Sequence, residues 1–215
     1  MATQTAERPW RVSAGRSRGL APVLLGGLFG LAWAAGMRGF MAQIVQEDSS
    51  VSWSGTFGYI LFPGLLIGLF LGWAEHLRNT GGRRGWRWLA LSPLLFAAVL
   101  FSEGPQGVFG IFENGLGGGA IGVPLYAMAG GYAISGRGPI WSRITCGALA
   151  LTAIPIWALT VESFAGAELA VVTPRGLWVA LYYWSFLALL MIAAAIPHRC
   201  PVDDDALVAV HRIKF

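Results

Sequence analysis

Six hydrophobic stretches, near 20–41, 57–77, 86–103, 116–135, 144–161 and 176–198, divide the chain into seven polar pieces. A helix needs about 20 largely apolar residues to cross a bilayer, and each stretch comes close to that length. The pattern predicts an all-α fold, a polytopic bundle of six transmembrane helices. Three regions follow: a basic, disordered N-terminus over 1–18, a six-helix membrane domain over 19–198 and a tail over 199–215.

The polar pieces alternate in charge. Arg8, Arg11, Arg16 and Arg18 fall in the first, and Arg78, Arg83, Arg84 and Arg87 in the third. Arg137 and Arg143 fall in the fifth, and Arg199, Arg212 and Lys214 in the tail. These are thirteen of the fifteen basic residues; only Arg38 and Arg175 lie on the other side, with Glu47, Asp48, Glu103, Glu113, Glu162 and Glu168. Short loops rich in Lys and Arg stay in the cytoplasm during insertion. Both termini are therefore expected to be cytoplasmic.

Composition agrees with lipid contact. The 215 residues are 55% hydrophobic and 12% charged, against roughly 25% charged in soluble domains. Thirty glycines and eleven prolines suit transmembrane helices better than soluble ones. The net charge of +4 is spread over the loops, where it sets orientation and meets anionic headgroups, so nucleic acid is not an expected partner. Lys214 is the one lysine among the basic residues. With abundant Ala and Gly, that bias suggests a high-GC bacterium and hence a bacterial plasma (inner) membrane.

The first stretch has two readings. Ala32-Trp33-Ala34 behind a basic segment fits a cleavable signal. An uncleaved first helix is preferred, because the apolar run continues to Met37 before Arg38. Beyond it, Gly39 to Val45 is expected to prolong the helix past the lipid.

Small residues mark the packing faces. Gly26, Gly30 and Ala34 recur every fourth residue in the first helix, and Gly64, Gly68 and Gly72 in the second, behind Pro63. Such strips let backbones approach closely. They predict tight packing within the fold or a homodimer seam along the second helix. Pro63, Pro93, Pro124 and Pro155 fall inside the second to fifth helices, and each frees a carbonyl. Ser92 and Thr152 are placed to satisfy their own helices. Ser54 or Thr56 is expected to cap the second helix. Thr173-Pro174 reads as the N-cap and first-turn proline of the last. The connection from Glu162 to Pro174 reads as a mildly amphipathic surface segment. The glycine-rich stretch from Glu103 to Gly122 reads as an outer loop dipping into the headgroups, or as a re-entrant element lining a wet site.

Ionisable residues near the membrane are the candidates for chemistry. Arg38 lies nineteen residues after Gly19, about 28 Å along a helix, near the outer surface. There it snorkels, pairs with Glu47, Asp48, Glu103 or Glu113, or grips an anionic substrate. Glu75 and His76 end the second helix as an interfacial pair facing Arg78 or as a proton relay. Glu113 and Asn114 open the fourth helix region, as a cap or as part of an outer vestibule with Arg38. His198 and His211 read as interfacial. Cys146 and Cys200 form no CxxC pair or Cys/His cluster. No HExxH occurs, and neither a GxSxG nor a dinucleotide fingerprint stands in a strand–helix context, so no catalytic residue, metal site or cofactor is assigned.

Three functions remain. One is a small channel or secondary transporter. The second is a non-enzymatic subunit or scaffold of a larger membrane complex, with a homodimer or heteromeric assembly as partner. The third is a membrane-embedded enzyme acting on lipid heads through Arg38 and the outer carboxylates.

Overall fold

The structure, a computed structural model, describes residues 20–46, 49–98 and 116–201, with side chains of the fourth helix described from 119 onward. Every regular element among them is helical, with no strand. Four helical runs are long and apolar enough to cross a membrane: Ala21–Val45 (α1), Trp53–Asn79 (α2), Ile140–Ala165 (α5) and Pro174–His198, whose α-helical part is Pro174–Ala194 (α6). At about 1.5 Å per residue each exceeds the roughly 30 Å hydrocarbon core. Between α2 and α5 lie two shorter pieces. The third helix, α3, runs as a 3₁₀ helix over Trp86–Leu94 and as an α-helix over Leu95–Ala98. The fourth, α4, is Leu116–Ile134. Both adjoin residues 99–115, so the expected stretch 86–103 is described only in part while the backbone of 116–135 is described throughout, and the loop from Glu103 is described only from 116, where it is already helical.

α1 reaches Val45 without a break, as the Gly39–Val45 extension anticipated. It runs antiparallel to α2, with glycine facing glycine. Gly26 lies against Gly68 and Gly72, Gly30 against Gly64 and Gly68, and Ala34 against Gly64. A methyl placed on Gly26 would sit 2.7 Å from the Gly72 Cα, and one on Gly30 2.7 Å from the Gly68 Cα. The strip reserved for a close neighbour is thus filled by α1 of the same chain. Of the two expectations for this face, the chain shows the packing within the fold.

α2 differs from expectation at its start. It begins at Trp53 rather than near 57, and its cap is Ser52, whose Oγ accepts from the Gly55 N–H at 3.0 Å. Neither Ser54 nor Thr56 serves. Its first nine residues, Trp53–Leu61, wind as a π-helix. Pro63 explains this. Its ring would press on the carbonyl four residues back in a regular helix and has no N–H to offer it. A wider turn opens the spacing, and the Phe62 N–H reaches back five residues to Phe57.

The other prolines are handled differently. α5 breaks at Thr152, two residues after Ala150 and three before Pro155; Thr152 Oγ1 donates to the Leu149 carbonyl at 2.6 Å. Ser92 does not assist its helix. Its hydroxyl is buried without a partner among the described residues, and the segment around Pro93 is 3₁₀ instead. Pro124 sits fully buried within α4.

Residues 162–174 do not form a flat surface segment. Glu162 to Ala165 complete α5, Gly166 turns the chain at φ 89°, and a 3₁₀ turn, Ala167–Leu169, drives Leu169 into the main core. The turn can fold back because Gly176 carries no side chain where the Ala170 carbonyl rests. Thr173 is the N-cap, with Oγ1 accepting from the Gly176 N–H at 2.9 Å, and Pro174 follows it. Thr173→Ala is expected to cost about 1 kcal/mol in detergent unfolding, with Thr173→Ser retaining most of it; equal stability of Thr173→Ala and wild type would refute the cap.

The core lies where α1, α5 and α6 meet. Phe40, Trp157, Tyr182, Tyr183 and Phe186 stack or meet edge to face there. Two long-range hydrogen bonds tie α1 to α6. Trp33 Nε1 donates to the Phe186 carbonyl at 2.7 Å, and the Tyr182 hydroxyl donates to the Gly36 carbonyl at 2.6 Å.

Candidate functional site

The sequence candidates are dispersed rather than gathered. Because α1 and α2 are antiparallel, Arg38 lies at the end where α2 begins, and Glu75 lies beyond Gly72 at the opposite end. Arg38 is half-buried and acts as a latch. Its Nη2 donates to Ser49 Oγ at 3.0 Å and to the Ser50 carbonyl at 2.6 Å. This fixes the start of the segment leading into α2. Its four candidate acids, Glu47, Asp48, Glu103 and Glu113, lie outside the described residues, as does Asn114.

Glu75 is engaged within its own helix. Its carboxylate accepts from Arg78 Nε at 2.8 Å and Nη2 at 2.6 Å, and from Asn79 Nδ2 at 3.1 Å. A bidentate guanidinium one turn on is a strong charge-assisted partner. His76 is the next residue along and points elsewhere, since neighbours in a helix diverge by about 100°. Its carbonyl accepts from Thr80 Oγ1 at 3.0 Å. The geometry thus brings Glu75 to Arg78 and Asn79 and does not join it to His76.

One concavity was not among the expected sites. It is an open groove of about 620 Å³, lined by Arg83, Arg84, Gly85, Trp86, Arg87, Trp88, Ala90, Leu91 and His198. Local chemistry builds it. α2 ends with the Gly82 N–H bonded to the Leu77 carbonyl at 2.8 Å, and Gly81 takes φ 92°. This is a Schellman stop, which needs a residue free of Cβ strain at that turn. Gly82 and Gly85, also at positive φ, then let Arg83 and Arg84 project before α3 starts. Trp86 is buried as the groove's base, and Trp88 is 75% exposed. The far wall is His198, whose ring meets Tyr132 edge-on at 5.4 Å. Nearby, Arg137 Nη1 reaches Cys200 Sγ at 3.8 Å, so the connections carrying Arg83 and Arg137 converge with the chain after α6. Sequence reasoning saw each basic connection separately. What joins them is a contact between residues more than a hundred positions apart.

Among the described residues no group of three or more His, Cys, Asp or Glu side chains is placed to hold a metal ion. Most hydroxyls inside the long helices bond their own backbone: Thr145 to Trp141, Thr160 to Ile156, Ser163 to Thr160 and Ser185 to Tyr182. No family model, curated protein or solved structure matches this chain.

Proposed function

We propose that the chain is an integral protein of a bacterial plasma membrane that crosses it six times with both ends in the cytoplasm, and that it works as a non-enzymatic subunit or scaffold of a membrane assembly. Residues 1–18 and 199–215 are its cytoplasmic ends, and 19–198 is its membrane domain. The observation that carries the functional reading is the filled interior. Where α1, α5 and α6 meet, five aromatic rings pack in place of a polar path. The Glu75 carboxylate, a candidate relay, is committed to Arg78 and Asn79. The topology is supported by the spatial convergence of the basic connections around Arg83, Arg137 and Arg199, away from the Arg38 end.

A channel or secondary transporter is the second reading, and irregular helix geometry favours it. π-helical and long 3₁₀ segments recur at functional hinges, and α2 and α3 contain one each. The buried indole N–H groups of Trp157 and Trp184, without partners among the described residues, add polar atoms to the same interior. Isolation from the native membrane in mild detergent separates the readings. The subunit reading expects a stoichiometric complex, with a heteromeric partner or a second copy docked elsewhere than the α1–α2 glycine face. A lone monomer that mediates ion or metabolite flux in liposomes would replace it. Reporter fusions at 82 and 137 are expected to read cytoplasmic and those at 50 and 166 external; the reverse would overturn the topology alone.

A further inference from the structure

We propose that the arginine groove between α3 and the end of α6 binds an anionic phospholipid, holding its phosphate at Arg83, Arg84 and Arg87 and one acyl chain in an adjoining apolar cleft. Three guanidinium groups fall within five residues and line one groove with His198. The two ion pairs among the described residues, Glu75–Arg78 and Glu168–Arg175, use none of them. Guanidinium planes match phosphate oxygens in a two-point fork. A basic groove of this composition selects a phosphate-bearing anion.

The second half of the argument is the neighbouring cleft. It holds about 180 Å³ and is lined by Phe70, Trp88, Leu89, Leu91, Ser92 and Leu95. Trp88 and Leu91 belong to both hollows. Trp88, Leu91 and Leu95 follow one face of α3, so the cleft leads away from the arginines along the helix. A basic hollow and an apolar one thus meet at an exposed tryptophan, the side chain favoured at headgroup level. A free phosphate would fill only the first. A phospholipid fills both, which is why the lipid is the assigned ligand. The inference rests on the proposed placement of the 78–87 connection at the cytoplasmic surface.

The test uses the full chain purified in neutral detergent, titrated with phosphatidylglycerol, phosphatidylcholine or glycerol 3-phosphate. Bound lipid is counted by native mass spectrometry, and the unfolding midpoint is followed in parallel. Phosphatidylglycerol is expected to bind and stabilise, phosphatidylcholine to do neither at the same concentration, and glycerol 3-phosphate to bind at least tenfold more weakly. Each arginine near a membrane surface contributes about fivefold, so R83Q/R84Q/R87Q is expected to bind phosphatidylglycerol roughly a hundredfold more weakly. Phe70→Gln, which touches only the apolar cleft, should weaken phosphatidylglycerol and leave glycerol 3-phosphate unchanged. If the triple variant does not fold, Arg84→Gln alone, on an exposed turn, is expected to show the single fivefold loss. Equal binding of both lipids, wild-type binding by the arginine variants, or glycerol 3-phosphate as tight as the lipid would overturn the proposal. An external reading at position 82 would instead overturn the topology and leave the lipid titration to stand by itself.

Discussion

Gly68→Ala is expected to destabilise the bundle by about 1–3 kcal/mol, and Gly68→Ile to prevent recovery of folded protein. Two effects oppose each other. Alanine gains about 1 kcal/mol over glycine in helix propensity, so without contacts the change would stabilise. At Gly68 the added methyl meets the Gly26 carbonyl and stands 2.8 Å from the Gly30 Cα. Both atoms are backbone, so no flexible side chain can swing aside, and the helices must separate along the seam. That separation loosens the Gly30–Gly64 and Gly26–Gly72 contacts together, because one rigid helix carries all three glycines. Between helices in lipid, close backbone packing is a principal attraction, so the loss exceeds the propensity gain. Gly119 supplies the control, since among the described residues nothing lies within 4 Å of a methyl there. Gly119→Ala should be neutral or slightly stabilising. Thermal unfolding in one detergent compares the three variants, and a Gly68→Ala midpoint at or above wild type would show that the seam is not closely packed.

Which parts of this architecture could be read in advance depended on how local their causes are. The glycine strips of α1 and α2 were legible because four-residue spacing alone puts small residues on one face. Their mutual pairing was not, since the same strip serves an intrachain helix or a second copy. Thr173 was legible because an N-cap followed by proline is a contact within four residues. Ser52 was missed for a neighbouring reason: Ser52, Ser54 and Thr56 are equivalent caps until the π-helical turn imposed by Pro63 decides where the helix starts. Leu169 gave no signal, as its burial depends on the bare backbone of Gly176 seven residues later. Glu75 with Arg78 was readable from i,i+3 spacing, and that pairing argues against a relay through His76. The groove was invisible to pattern reasoning, because Arg83 and His198 come to line one groove only after the four helices between them in sequence have packed. Glu113 and Asn114 fall outside the described residues, so their vestibule stands as an expectation from sequence.

Phe40→Ala is expected to cost about 3 kcal/mol, the lower end of the range for truncating a buried aromatic. Phe40 is 6% exposed and its ring lies 5.4 Å from Trp157, 6.0 Å from Tyr182, 5.5 Å from Tyr183 and 5.0 Å from Phe186. These neighbours belong to α5 and α6, so one side chain from α1 joins three helices. The lower end applies because lipid tails are as apolar as the core. Transfer from lipid then contributes little, and what is lost is dispersion and the cavity left behind. Trp157 and Tyr183, stacked at 4.7 Å, support each other and limit collapse into that cavity. Phe40→Leu, which keeps most of the volume, should cost less than half as much. Leu159→Ala, at an 82% exposed position, should change stability by less than about 0.5 kcal/mol. The same variant bears on function. In a packed subunit, Phe40→Ala lowers the unfolding midpoint and leaves liposomes tight to ions. An ion leak through folded Phe40→Ala protein, absent in wild type, would mean that this ring plugs a conduction path, and the transporter reading would then displace the subunit one.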